Sequence, residues 1–269
     1  MKKFLNEPKH FVPEFLEGIQ LASGGALKYE PKYNLIYRAD MPRDDKVSII
    51  QGSGSGHEPA HTMIVGKGML DAACPGDVFA GPPVDFVVET SKLMNSKKGI
   101  LHIVNNYTGD RAAFEMGREL CEAEGLRIET LLVNDDVAVK DSTWTVGRRG
   151  VAGNFFVIKA VGAASEKGAD LDELMRVGNK VIGQSRAMGL ALSPRTPPTR
   201  GRPHPLPLHG HLWGRCPRVP RQVAVFQLPA HPVTSTRCRS ARRRARCDQR
   251  QAWRSLFGRA LHQLPEVLL

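Results

Sequence analysis

Apolar positions along residues 8–193 switch repeatedly between a helical and an extended period. Phe11, Phe15, Leu16 and Ile19 recur at helical spacing and Gly24-Gly25 closes the run, which predicts a helix over 8–22. Residues 46–50 form a short apolar strand that runs into Gln51-Gly-Ser-Gly-Ser-Gly-His-Glu-Pro59. A helix over 83–93, a buried strand over 99–104, a helix over 111–123 and a strand over 126–133 follow. Helices over about 151–167 and 170–188 and a last strand over 189–193 complete the pattern. Strands alternating with helices imply an α/β fold, a mostly parallel sheet with helices on both faces. Ligands of such sheets bind beyond the carboxyl ends of the strands. Three polar turns follow three strands, at 51–59, 105–110 and 134–136, and are expected to converge at one rim.

The length, 269 residues, allows one large domain or two modest ones. Hydrophobic residues at 41% and charged residues at 24% are ordinary for a soluble protein. No apolar run approaches the roughly 18 residues of a membrane span, and no apolar stretch follows Lys2-Lys3, so a cytoplasmic protein is expected. Five cysteines without tight spacing argue against a disulfide framework or a zinc cluster, and Cys74 and Cys121 read as structural.

The net charge of +11 suggests a nucleic-acid binder until its distribution is counted. Residues 1–193 hold 23 Lys+Arg and 25 Asp+Glu, a net −2, whereas 194–269 hold 15 and 2, a net +13. All cations of that second segment are Arg, and it carries 11 of the 19 prolines and 5 of the 9 histidines. It divides the chain into a domain, 1–193, and an Arg/Pro-rich tail, 194–269. Three readings of the tail compete. It is a disordered basic arm with Arg242, Arg243, Arg244 and Arg246 on phosphates, a small second domain, or an out-of-frame translation of a GC-rich gene. Composition favours the last, since Arg, Pro, Ala and Gly are what GC-rich codons encode.

The rim carries the candidate chemistry. Gly52, Gly54 and Gly56 alternate with Ser53 and Ser55, either to let the backbone approach a ligand or to make a tight turn. Neither a Walker loop nor the dinucleotide Gly pattern fits here or at Gly66-Lys67-Gly68. His57 is a candidate acid–base group or a helix cap, and His61, one helical turn on, is a possible companion, without a third ligand for a metal. Asp110 is an N-cap or a base for a hydroxyl proton. Asp135-Asp136 could hold a metal, cap a helix or orient neighbours, and Arg148-Arg149 could meet phosphate or pair with those acids.

Six motifs in order now become recognisable: Gly52-Ser-Gly-Ser-Gly-His-Glu-Pro-Ala-His61, Gly66-Lys-Gly-Met-Leu70, Cys74-Pro-Gly76, Asn106-Tyr-Thr-Gly-Asp110, Asp135-Asp-Val-Ala-Val139 and Gly147-Arg-Arg-Gly-Val-Ala-Gly153. Over about residues 1–198 the chain resembles the substrate-binding K subunit, or K domain, of dihydroxyacetone kinases. The resemblance implies phosphorylation of a terminal hydroxyl of dihydroxyacetone or a related short ketose. It implies substrate contacts at Gly54, Ser55, Gly56, His57, Asn105 and Asp110, with His57 as acid–base and Asp110 activating the hydroxyl. Asn105 stands where these kinases usually carry Lys, which points toward a four-carbon ketose or a non-catalytic ketose sensor. The K domain itself is expected to hold no cofactor or metal. ATP with magnesium, or a recharged ADP, would sit on a separate L subunit, and the K subunit would be a homodimer, with neither membrane nor nucleic acid as partner.

The family's covalent histidine, in Gly-x-Gly-x-His-Gly, is absent, and His209-Gly210 has the wrong neighbours. Read one base late, codons for Trp213-Gly-Arg-Cys-Pro-Arg218 permit Gly-Val-Gly-Val-His-Gly. A frame error near 198–205 would account for the composition break and for a second subdomain truncated or garbled. The chain as written is then expected to be inactive and poorly soluble.

Overall fold

The computed structural model describes residues 5–137 and 147–190, with the backbone of 224–229. Contacts divide the chain into two units, 1–230 and 231–269, and every described residue lies in the first. The readings of the Arg/Pro-rich tail, of His209-Gly210 and of Trp213–Arg218 therefore lie outside the described residues, apart from the backbone of 224–229.

Helix α1 (Phe11–Ala22) leads into an antiparallel pair, β1 (Leu27–Glu30) and β2 (Leu35–Arg38). β3 (Ser48–Gln51), the two-residue β4 (Gly54–Ser55) and β5 (Ala72–Ala73), and β6 (Gly76–Val78) come next. Then follow α2 (Val84–Leu93), β7 (Ile100–Asn105), α3 (Thr108–Ala123), β8 (Ile128–Val133), α4 (Gly153–Glu166) and α5 (Leu171–Gln184). β9 (Ser185–Leu190) pairs antiparallel with β10 (Ala224–Pro229). The main sheet has the order β1-β2-β5-β3-β7-β8, with β5, β3, β7 and β8 parallel and β1 and β2 antiparallel at one edge.

Alternation along the parallel strands divides the core. Ile49, Leu101, Ile103 and Leu131 face one side, where α1, α4 and α5 pack through residues such as Leu16, Val157, Val161 and Leu174. Ile50, Ile100, Val104 and Ile128 face the other, where α2 and α3 bring Val87, Phe114 and Cys121. Successive strand side chains point to opposite faces, so each strand feeds both layers.

Burial of charge fastens the sheet to α4. Lys46 Nζ lies 2.8 Å from Asp71 Oδ1 and 2.8 Å from Glu166 Oε1, and Arg38 reaches Asp71 at 2.8 Å and also Glu166. Lys46 and Asp71 are fully buried, an arrangement that survives only because each charge is paired. Burial pushes Glu166 up, but hydrogen bonds from Lys46 and Arg38 prevail and hold it at about 2.

Four sequence expectations need correction. The β1–β2 pair had no predicted counterpart; it turns through Asn34 in the left-handed region, a residue type that tolerates φ of 46°. α3 begins at Thr108, not 111, which makes Asp110 its third residue and not its cap. α5 ends at Gln184 and β9 begins at Ser185, where a helix to 188 and a strand from 189 were expected. Pairing wins there over helical periodicity: Ala187 N–H donates to Asp135 O at 2.9 Å and Val137 N–H to Ala187 O at 2.8 Å. His61 does not follow His57 along a helix, because a turn closed by Ala60 N–H on His57 O separates them.

Candidate functional site

Chain order places the site. β3 is flanked by β5, which follows it after the short β4 with no helix longer than a single turn between, and by β7, reached only after α2. The chain thus leaves β3 to one side and returns on the other, a topological switch point at its carboxyl end, where a crevice forms. The loop after β3 (52–57) and the β7–α3 turn (106–110) form its two walls.

The first wall is folded by close packing. A Cβ at Gly54 would lie 2.7 Å from Ala80 N and 2.8 Å from Phe79, so only glycine lets the loop settle on the segment after β6. Gly56 has φ +93°, which side chains rarely adopt. Ser55 Oγ donates to Gly76 O at 2.7 Å, and Gly56 N–H donates to Glu58 Oε1 at 3.0 Å. His57 then emerges exposed, its ring edge-on to Phe79 with centroids 5.2 Å apart.

The second wall is the first turn of α3. Asp110 is 3% exposed, and its Oδ2 accepts the Ser53 hydroxyl at 2.7 Å. Burial pushes the carboxyl up to about 6, with the Ser53 hydrogen bond pulling the other way. Such a carboxyl titrates near neutrality, the range in which a base both accepts and releases protons. Tyr107 is raised by burial and drawn down by Arg149, whose guanidinium carbon stands 5.9 Å from the centre of its ring.

Ser53, Gly54, His57, Phe79, Gly81, Tyr107, Thr108, Gly109, Asp110 and Arg149 line one cavity of about 420 Å³. His57 and Asp110 are thus brought together with Gly54. Ser55, Gly56 and Asn105 are not among the lining residues. Asn105 is buried at the end of β7 behind Gly150, where a Cβ would lie 2.8 Å from Asn105 Oδ1; that oxygen accepts no hydrogen bond among the described residues.

The 134–136 turn serves the site from behind. Asp135 accepts Val151 N–H at 2.9 Å and Gly153 N–H at 2.7 Å, and Asp136 N–H donates to Arg149 O at 2.9 Å. Asn106 Nδ2 donates to Arg148 O at 2.5 Å. Together these fix the loop that carries Arg149 over Tyr107. Gln51 links the base of the site to α4, since its Nε2 donates to Asn154 Oδ1 at 2.7 Å while its Oε1 lies 2.6 Å from His61 Nδ1. Burial pushes His61 down to about 3, with the His57 charge adding to it, so its ring is neutral at physiological pH. Among the described residues no group of three or more His, Cys, Asp or Glu is placed to hold a metal ion.

Sequence reasoning missed Ser53, Phe79 and Gly81 as lining residues. Gly81-Pro82-Pro83 before a helix was a visible turn signal, but nothing local announces that Phe79 adopts φ +59°.

Residues 17–208 match the Dak1 domain family. The dihydroxyacetone-binding subunit DhaK of PTS-dependent dihydroxyacetone kinase 1 from Listeria innocua serovar 6a is 46% identical over 203 residues, 76% of this chain and 61% of that protein. The dihydroxyacetone-binding subunit DhaK of the PEP-dependent dihydroxyacetone kinase from Escherichia coli K12 is 42% identical over 204 residues, 76% of this chain and 57% of that protein. The dihydroxyacetone kinase from C. freundii, solved in complex with AMP-PNP and Mg2+, superposes with a TM-score of 0.67 at 36% identity, over 72% of this chain and 36% of that one. This chain spans about three-fifths of the length of these curated relatives. No helix among the described residues is long and apolar enough to cross a membrane.

Proposed function

The chain belongs to the Dak1 domain family, and from that premise we propose that it is the ketose-binding subunit of a dihydroxyacetone kinase. The observation that carries this is the meeting of His57 and Asp110 in one small cavity at the switch point. A terminal hydroxyl of dihydroxyacetone sits against Asp110, which takes its proton as the oxygen attacks phosphorus. The bond from phosphorus to the donor's leaving oxygen breaks, and the phosphate ester forms. His57 moves a proton at the ketose oxygens from the exposed side. Gly54 offers backbone contact. Ligand contacts at Ser55 and Gly56 require the bonds to Gly76 and Glu58 to be exchanged for substrate. Asn105 Oδ1 accepts no hydrogen bond among the described residues, and takes one from a substrate hydroxyl only if Gly150 moves aside, without the charge a lysine would bring.

The phosphoryl donor belongs to a separate L subunit. Relatives named as PTS- and PEP-dependent, and a kinase crystallised with AMP-PNP and Mg2+, support either a relay or a nucleotide there. We assign the K subunit no cofactor of its own, and two copies per assembly, for which exposed Met116 and Leu120, one turn apart on α3, supply apolar surface. Buried thiols at Cys74 and Cys121 fit a reducing cytoplasm.

Calorimetric titration of the purified chain with dihydroxyacetone, followed by turnover with an L subunit and donor, tests the assignment. Binding that is lost in Asp110→Asn and His57→Ala, together with turnover, is expected. Saturable binding without turnover in a chain restored to full length would make it a sensor, and no binding would end the assignment.

A further inference from the structure

Ser53 belongs to none of the roles given so far. Ser53 is 6% exposed, and the only hydrogen bond of its hydroxyl among the described residues is the one donated to Asp110 Oδ2 at 2.7 Å. The other carboxylate oxygen meets a different surface. A Cβ at Gly81 would lie 2.6 Å from Asp110 Oδ1, so Oδ1 rests against the bare backbone of Gly81, and both residues line the cavity. One oxygen is engaged by a hydroxyl, and the other is left beside a residue with no side chain to cover it.

We propose that Ser53 is a positioning residue for phosphoryl transfer: its hydroxyl pins Oδ2 of Asp110 and presents Oδ1 as the oxygen that receives the proton of the substrate hydroxyl. This rests on Asp110 being the base. A hydroxyl that donates to a carboxylate favours the ionised form, so the same bond opposes the effect of burial on this group. The other ionisable groups around it are His57 from the β3 loop, Cys74 from after β5, and Tyr107 and Arg149 from the second wall. Burial raises Asp110 and the Ser53 hydrogen bond lowers it. Loss of the hydroxyl should therefore move its titration upward.

The test is a carbon-detected NMR titration of the full chain labelled at aspartate side chains, with Asp110 assigned by the signal lost in Asp110→Asn. Ser53→Ala should raise the Asp110 midpoint by about one pH unit, the worth of one hydrogen bond to a charged group. Ser53→Thr, which keeps the hydroxyl, should restore it. Where turnover is measured, the acid limb of kcat/KM should move by the same amount in Ser53→Ala. An unmoved midpoint in Ser53→Ala overturns the role of Ser53. Retained turnover in Asp110→Asn overturns the assignment of the base instead, and the two failures are distinct.

Discussion

Asp135 caps α4 from the turn after β8: its Oδ2 accepts the N–H of Gly153, the first residue of the helix, at 2.7 Å. The residue preceding the helix, Ala152, has no side chain able to do this. A helix end without a cap leaves amide groups unsatisfied, and here a distant carboxylate satisfies two, Val151 and Gly153. The same contact holds the loop that places Arg149 at the cavity. Asp135→Ala should therefore cost about 1–2 kcal/mol, read as a fall of several degrees in Tm. KM for the ketose should rise alongside. A variant with unchanged Tm and KM would show that the loop is held by other contacts.

Gly81 leaves no room for a side chain beside Asp110. A Cβ there would lie 2.6 Å from Asp110 Oδ1 and 3.2 Å from Asp110 N. Gly81→Ala should displace the carboxylate by a fraction of an ångström. A misplacement of that kind lowers turnover by up to about 10²-fold. The far-ultraviolet circular dichroism spectrum should match wild type, since the change is confined to the cavity wall. Wild-type kcat would mean that the carboxylate tolerates the intrusion.

Asp110, as the proposed base, contributes to the pH dependence of both activity and stability, with opposite consequences. Its carboxyl is raised to about 6 in the fold from 3.8. The folded protein therefore holds this proton more tightly than the unfolded chain, and the Asp110 contribution to stability declines as pH rises from about 4 through 6, while buried His61 and His102, each pushed down to about 3, contribute in the opposite direction. The full penalty, of the order of 3 kcal/mol at 1.36 kcal/mol per pH unit, applies above that range. If Asp110 is the base, as proposed, its ionised form accepts the proton, and kcat/KM should fall about tenfold per unit below pH 6. Asp110→Asn should be inactive yet more stable than wild type at pH 7.5, and equal to it near pH 4. Denaturant melts at the two pH values measure this, and a destabilised Asp110→Asn at pH 7.5 contradicts it.

The parallel strands and their helices were legible because hydrophobic period survives wherever a strand is buried on both faces, as at Ile100–Asn105. That His57 and Asp110 come to one cavity was legible too, because both lie on loops that follow strands the topology brings together. What escaped was set by contacts distant in sequence. Ser53 and Asp110 are 57 positions apart, and nothing at 53 announces which of the two loop serines turns inward. Asp135 announces a cap only once Gly153 is beside it. The end of α5 was decided by pairing of β9 with the 135–137 backbone, which overrode a helical pattern that ran four residues further.

Lys46 is a buried cation whose removal strands its partners. Asp71 is 0% exposed and accepts from Lys46 at 2.8 and 3.0 Å, from Arg38 at 2.8 Å, and from Ile49 N–H at 2.9 Å. Lys46→Met deletes one of the two cations that meet Asp71 at 2.8 Å and should destabilise by about 3–5 kcal/mol. Combining it with Asp71→Asn should recover part of that loss, since the buried carboxylate left with Arg38 alone is gone. Urea melts of the two variants separate a charge effect, which the double variant relieves, from a packing effect, which it does not.

The break at residue 194 makes the last prediction. Family similarity runs to residue 208, while net charge changes from −2 over 1–193 to +13 over the remainder. The chain spans about three-fifths of the length of its curated relatives. Trp213 admits one codon only, so a reading one base later forces Gly at the first position of the shifted motif. The DNA across codons 190–220 should encode Gly-x-Gly-x-His-Gly in that register. A chain expressed from it should turn over dihydroxyacetone with an L subunit and donor, and should lose turnover when the restored histidine is changed to alanine. Absence of the motif from the shifted register would leave the Arg-rich segment as genuine protein, and its affinity for nucleic acid, falling steeply with salt, would then be the property to measure.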